Sequence, residues 1–130
     1  MKRTLTLERE RPVSWNEYYA GQPWPVRRRE AQRVHALVRF SLPEDARPFN
    51  GPVTVTLTAY FKDKPSDSCN LPAKLYIDGL TAKGEYKDGF RSWLWDDDLR
   101  FVTQTTTIPK MDPHNPRVVI ELQEVDETAS

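Results

Sequence analysis

Between positions 67 and 98 the chain gathers side chains suited to a hard divalent cation. Asp67 and Asn70 stand at one end, Asp96, Asp97 and Asp98 at the other, with Lys74 between them and Cys69 inside the first group. Carboxylates drawn from separate segments are the preferred ligands of Mg²⁺, and a nearby ammonium can stabilise charge developing on a phosphate. Three consecutive aspartates repel one another, and a cation would relieve that repulsion. They lie between Trp93, Leu94 and Trp95 on one side and Leu99, Phe101 and Val102 on the other, at the mouth of an apolar strand. Each group also has a plainer account. Asp, Ser and Asn are the usual helix N-cap residues, a lysine is ordinarily a surface residue, and an acidic run can be a solvated turn. Asp78, one turn beyond Lys74, can be structural and pack towards the sheet.

Other chemistries find less support. A thiol nucleophile at Cys69 would need His35 or His114 as base, and neither sits in a recognisable cysteine-protease context. One cysteine and two distant histidines do not have zinc-ligand spacing. No glycine-rich phosphate loop occurs, so nucleotide hydrolysis has no motif behind it.

Composition sets the frame. The 130 residues are 38% hydrophobic and 29% charged, with a formal net charge of zero. That length fits one domain, residues 1–125, with residues 126–130 as a frayed tail. No apolar run approaches the ~20 residues that span a bilayer. The N-terminus lacks the apolar region of a secretory signal, and a single cysteine fits a reducing, cytoplasmic setting. Charge is unevenly spread: residues 1–43 carry nine basic against four acidic side chains, and residues 111–130 one basic against five acidic. Such a chain can present one side to a polyanion.

The candidate residues must be positioned by a small number of elements. Thr4–Glu10 alternates as a strand with one buried face. RPVSWNEYYAGQPWP reads as an irregular loop, and Pro25 can occupy a helical first turn. A helix from Val26 to about Ser41 places Ala31, Val34, Leu37 and Val38 on one face. Val53–Phe61 alternates strictly, with Thr54, Thr56 and Thr58 between apolar neighbours, and is the clearest strand. The turn KDKPSD follows. A second helix runs from Leu71 to about Lys83, with Leu71, Leu75 and Ile77 or Leu80 facing inward and Pro72 in its first turn. KGEYKDGFRSW reads as a loop, Leu99–Ile108 as a threonine-rich strand, KMDPHNP as a turn and Val118–Leu122 as a last strand. The expected class is α+β: a small mixed β-sheet with two helices packed on one face, in the order β-α-β-α-β-β.

Three patches in this order resemble the RusA family of Holliday-junction resolvases, Mg²⁺-dependent endonucleases often carried by phages and prophages. PVSWNEYY at Pro12–Tyr19 is similar to the family's N-terminal motif, and contains Asn16. SDSCNLPAKLYIDGL at Ser66–Leu80 is similar to its central aspartate-x-aspartate-asparagine…lysine motif. WDDDLRFV at Trp95–Val102 is similar to the paired aspartates that open its third strand. The resemblance implies that Asp67 and Asp98, or Asp97, ligate Mg²⁺, with Mn²⁺ as a substitute. It implies Lys74 as the essential lysine, with Asn70, Cys69 and Asn16 in support. Two departures stand out: Cys69 occupies the place of the family's middle aspartate, and Lys74 lies one residue later after Asn70. The loop before the aspartate run is also longer.

The implied substrate is branched DNA such as a four-way junction, cut by a homodimer with two sites in the cytoplasm of a bacterial host. Arg27, Arg28, Arg29, Arg33, Lys62 and Lys64 would then contact phosphates. Trp15, Tyr18, Tyr19 and Trp24 could stack on bases or cover the sheet edge. Two alternatives stay open: a branched-DNA-binding protein whose cutting is impaired at Cys69, and a small interaction protein with no nucleic-acid role.

Overall fold

The computed structural model describes residues 1–8, 10, 23–62, 72–81, 91–96 and 98–125. The elements are β1 (Lys2–Glu8), α1 (Trp24–Ser41), β2 (Val53–Phe61), α2 (Ala73–Leu80), β3 (Val102–Met111) and β4 (Arg117–Glu124). This is the expected α+β order. The strands form one mixed sheet in the order β1-β4-β2-β3, with β4 antiparallel to β1 and β2, and β3 parallel to β2.

Central β2 shows why the fold forms. Val53, Val55, Leu57, Ala59 and Phe61 are buried, while the residues between them are half-buried. Their cross-strand neighbours Leu122, Ile120 and Val118 on β4, then Leu7 and Leu5 on β1, extend one continuous apolar face. Val34 and Val38 of α1 and Leu75, Tyr76, Ile77 and Leu80 of α2 complete the core. Ala31 and Leu37 pack at its margin, as helical spacing requires.

Pro25 lies in the first turn of α1, where the N–H groups of Val26 and Arg27 bond back to Pro23 O at 3.0 and 3.1 Å. Helix α2 is shorter than the pattern predicts, ending at Leu80 because Thr81 turns to extended backbone. It is also buried nearly all round, at Leu75, Tyr76, Ile77, Gly79 and Leu80. Where α2 packs on α1, a methyl group on Gly79 would stand 2.7 Å from Val38 Cβ. Leu71, expected to face inward, lies outside the described residues.

The end of the expected loop before the aspartates is not irregular. Ser92, Trp93 and Leu94 are buried, and the N–H groups of Trp93 and Leu94 both donate to Leu80 O, at 2.9 and 3.0 Å. Trp93 O accepts from Phe49 N at 2.8 Å, so this segment ties the exit of α2 to the turn before β2.

Strand β3 begins three residues later than predicted and is an edge strand. Val53 N donates to Phe101 O and Asp112 N to Phe61 O, which fixes which β3 groups face β2. With the register Val55↔Thr105 to Phe61↔Met111, the N–H and C=O of Gln104, Thr106, Ile108 and Lys110 point inward to β2. Those of Thr105, Thr107 and Met111 point to the open edge, as does Pro109, whose missing N–H therefore costs no ladder bond. Among the described residues, no helix is long and apolar enough to cross a membrane.

Candidate functional site

The entry to β3 is built by Asp98. Its carbonyl accepts the N–H groups of Phe101 and Val102 at 3.0 and 2.9 Å, closing a tight turn. Its carboxylate accepts Arg100 N at 2.9 Å and is gripped by the Arg100 guanidinium, with Nη2 at 2.7 Å and Nε at 3.1 Å. A side chain that bonds the backbone two residues on is a known competitor of the extended ladder, and this is why the strand starts after Phe101 and not at Leu99. The hydrogen bonds from the Arg100 side chain and then its backbone hold the Asp98 carboxyl below its ordinary range. Asp98 is thus ionised at neutral pH and solvent-facing, a hard oxygen donor already occupied by one cationic side chain. Asp96 is half-buried beside it.

Lys74 stands in the first turn of α2 with its side chain exposed. The N-cap of that helix is Pro72, which has no polar side chain and makes no side-chain cap bond. Lys74 and Asp98 are linked through the frame and not by contact. The exit of α2 at Leu80 bonds the segment leading to Asp98, and Lys74 lies six residues up the same helix, about 9 Å along its axis. Among the described residues, no hydrogen bond or ion pair joins the two. Asp67, Cys69, Asn70, Asp97, Asn16 and Lys64 lie outside the described residues. So do Trp15, Tyr18 and Tyr19. Among the described residues, no three His, Cys, Asp or Glu side chains gather as a metal cage. The one described candidate ligand, Asp98, suits Mg²⁺ in donor chemistry once Arg100 is moved aside.

The arginines of α1 divide into two kinds. Arg28 and Arg29 are exposed, and Arg28 lies 5.3 Å above the ring of Trp24, which is itself 61% exposed. Arg33 is different. Its Nη2 meets Glu10 Oε1 at 2.8 Å and Glu30 Oε1 at 2.7 Å, while Nη1 and Nε bond the second oxygens of the same two carboxylates. The Glu10 side chain is only 4% exposed. Those hydrogen bonds, Glu10 first and Glu30 second, push the Arg33 pKa further up, so it stays charged at any working pH. Arg33 is a clamp fastening the end of β1 to α1, with its charge matched by two carboxylates, which leaves it poorly suited to the phosphate-binding role expected for it. Arg27 is half-buried, and Lys62 is exposed just past the end of β2.

Three functional-looking groups escape a linear reading. Glu10 is the buried half of the clamp. Arg39, on the inner side of α1, is 4% exposed and donates from Nη2 to Thr81 O at 2.6 Å, pinning α1 to the exit of α2. His35 faces Asp78 with 4.0 Å between Nε2 and Oδ2, too long for a hydrogen bond. Burial, then the charge of Arg39, holds its pKa below the ordinary histidine value. The available signal was a charged residue at a core-facing helical position: Arg39 directly follows buried Val38. Asp78 is half-buried beside α1, consistent with its structural reading.

No protein-family model matches this chain, and no curated protein matches it.

Proposed function

We propose that the protein is a Mg²⁺-dependent endonuclease of the RusA type that nicks branched DNA such as four-way junctions, acting as a homodimer. The observation that carries this reading is the ordered set of three motifs, from PVSWNEYY through SDSCNLPAKLYIDGL to WDDDLRFV, within an α+β chain of the expected element order. Two features of the fold support it. Lys74 opens α2 and Asp98 opens β3, both exposed or solvent-facing, and the exit of α2 is hydrogen-bonded to the approach to Asp98.

In this reading Asp67 and Asp98, with Asp97 as the neighbouring alternative, would hold the cation. When bound, Mg²⁺ supplies Lewis-acid polarisation of the scissile phosphate and a more acidic attacking water. Lys74 offsets the charge that builds on the phosphate. Arg28 and Arg29 bind backbone phosphates of the junction arms. Arg100 holds Asp98 ionised and oriented while no substrate is present. Because both members of that pair are exposed, Arg100 can turn from the carboxylate to a substrate phosphate, exchanging one anionic partner for another.

The test is cleavage of a synthetic four-way junction with Mg²⁺ or Mn²⁺. Nicking by wild type and none by Asp67→Asn or Asp98→Asn is the expected result, and no nicking by wild type at high enzyme excess refutes the reading. A second reading, a branched-DNA binder that does not cut, is favoured by one specific feature: Cys69 stands where a carboxylate ligand is expected, and a thiol is a poor ligand for a hard ion. It predicts junction binding that weakens steeply between ~50 and 200 mM salt, with no metal-dependent nicking.

A further inference from the structure

We propose that the exposed indole of Trp24, with Arg28 and Arg29 beside it, is a stacking platform for an unpaired nucleotide of single-stranded DNA. The inference rests on α1 and its packing against α2, and the binding it describes does not depend on the chain cutting DNA.

Tryptophan is on average highly buried, and Trp93 is 5% exposed in this fold, yet Trp24 is 61% exposed. Its backbone is held between two prolines: Pro23 is extended at φ −61° and ψ 150°, and Pro25 takes the first turn of α1. Proline fixes φ, so the ring is carried on a segment with little freedom left to lose on binding. Arg28, one turn on, lies over the ring at 5.3 Å from its centroid, within cation–π range. A guanidinium on one face steadies the indole and leaves a flat apolar surface in solvent.

The field around that surface is cationic. Arg28 and Arg29 are exposed, Arg27 is half-buried, and the first turn of α1 has no acidic residue. Glu30, the acid that follows them, has both carboxylate oxygens bonded to Arg33, at 2.7 and 3.1 Å. An aromatic plane beside arginines is the arrangement that holds single strands, with bases stacking on the ring and phosphates meeting the cations. A duplex keeps its base faces stacked within itself and has none to offer the indole. An acidic peptide satisfies the arginines but leaves the ring unused.

The packing of the two helices sets where the platform stands. His35 faces Asp78, Gly79 lies against Val38 and the His35 carbonyl, and Arg39 donates to Thr81 O. These contacts advance together along both helices, so α1 and α2 run side by side in the same direction. Trp24 and Arg28 precede His35 and Arg39 by eleven residues each, which is three helical turns to within about 20°. They therefore continue the α1 face that α2 covers further along, on the stretch beyond the head of α2. Measured along the axis, Lys74 is about 6 Å before Asp78, whereas Arg28 and Trp24 are about 10 and 16 Å before His35. The platform overhangs the end of α2 where Lys74 stands. In the nuclease reading, a strand with its phosphate at Lys74 has its neighbouring nucleotides over Arg28 and Trp24.

The test is fluorescence anisotropy with a labelled oligo-dT of about 12 nucleotides. It is run in EDTA, against a duplex of the same length and a poly-glutamate peptide. Wild type is expected to bind the oligo-dT more tightly than either competitor, with quenching of its indole fluorescence. Trp24→Ala should weaken that binding by roughly 5–150-fold, the range for one base–aromatic stack, with the circular dichroism of the chain unchanged. Trp24→Phe keeps a stacking ring and should stay within about fivefold of wild type. Replacing Arg28 and Arg29 together by alanine should lower the slope of log K against log salt by about 1.4, the share of two phosphates in a single strand. No oligo-dT binding by wild type overturns the proposal, as does equally tight binding of the duplex or the poly-glutamate. So does a Trp24→Ala protein that binds like wild type, or a Trp24→Phe protein as weak as Trp24→Ala. A chain that nicks junctions but fails these measurements loses only the platform, and one that passes them without nicking keeps it.

Discussion

Substituting Gly79 by alanine sets two opposed effects against each other, and the structure decides between them. In a helix interior, glycine to alanine is worth about 1 kcal/mol of added stability through backbone entropy. Here the new methyl would stand 2.7 Å from Val38 Cβ, 3.1 Å from Val38 Cγ1 and 3.2 Å from His35 O. None of these atoms is the free end of a flexible side chain, because Val38 is fully buried and His35 O belongs to the backbone of α1. Ordinary carbon–carbon contact needs about 3.5–4.0 Å, so α1 and α2 must part by about 1 Å, and a gap of that size forfeits a quarter to a half of the dispersion energy along the seam. Overpacking of this kind typically costs about 1–3 kcal/mol. Gly79 is the penultimate residue of α2, where only part of that helical gain applies, so the net is a destabilisation of roughly 0.5–2 kcal/mol. That lowers a urea midpoint by up to roughly 1 M and Tm by up to roughly 10 °C. Gly51→Ala is the control: a methyl there meets nothing within 4 Å, and the change should be neutral or stabilising by up to about 1 kcal/mol. A Gly79→Ala protein as stable as wild type would refute the reasoning. It would mean the helix seam yields freely, and with it the placement of Lys74 relative to the sheet.

Arg33→Ala strands the Glu10 carboxylate in its buried position and should cost roughly 2–4 kcal/mol in urea unfolding. Arg29→Ala should leave stability within about 0.5 kcal/mol and, under the nuclease reading, lower junction affinity; the opposite pattern would assign the phosphate contact to Arg33. His35 has a folded pKa below its unfolded value, so below about pH 6.5 the unfolded chain binds a proton that the folded chain refuses. Stability should therefore fall as pH drops from about 7 towards 5, and His35→Gln should flatten that slope in paired urea titrations. Under the nuclease reading, Arg100→Ala frees the Asp98 carboxylate, and the Mg²⁺ concentration for half-maximal nicking should fall by up to roughly fivefold, the ceiling set by an exposed ion pair. A requirement that stays the same or rises would refute competition between Arg100 and the cation for the Asp98 carboxylate.

The frame was legible because its signals are local. Strict alternation over Val53–Phe61 and helical spacing at Ala31, Val34, Leu37 and Val38 each reflect one element burying one face, and both elements stand where expected. The boundaries of β3 were less legible. Periodicity continues backwards through Leu99, but the Asp98–Arg100 turn takes those residues out of the ladder, a competition between side chain and backbone that alternation does not register. The candidate site was legible in part for the same reason. Exposed Lys74 at the head of α2 and ionised Asp98 at the head of β3 occupy element boundaries, which sequence marks well.

What could not be read is pairing through space. Arg33 looks like its neighbours Arg28 and Arg29 in a basic helix, and only the fold brings Glu10, 23 residues away, to its guanidinium. Linear charge counting therefore assigns Arg33 to a polyanion, whereas low solvent exposure of Glu10 makes the intramolecular pair the stronger claim on it, since a buried carboxylate without a partner is costly and a phosphate contact at the surface is replaceable. Under the nuclease reading, the electropositive face that α1 offers to DNA is accordingly narrower than composition implies, and centres on the exposed Arg28 and Arg29.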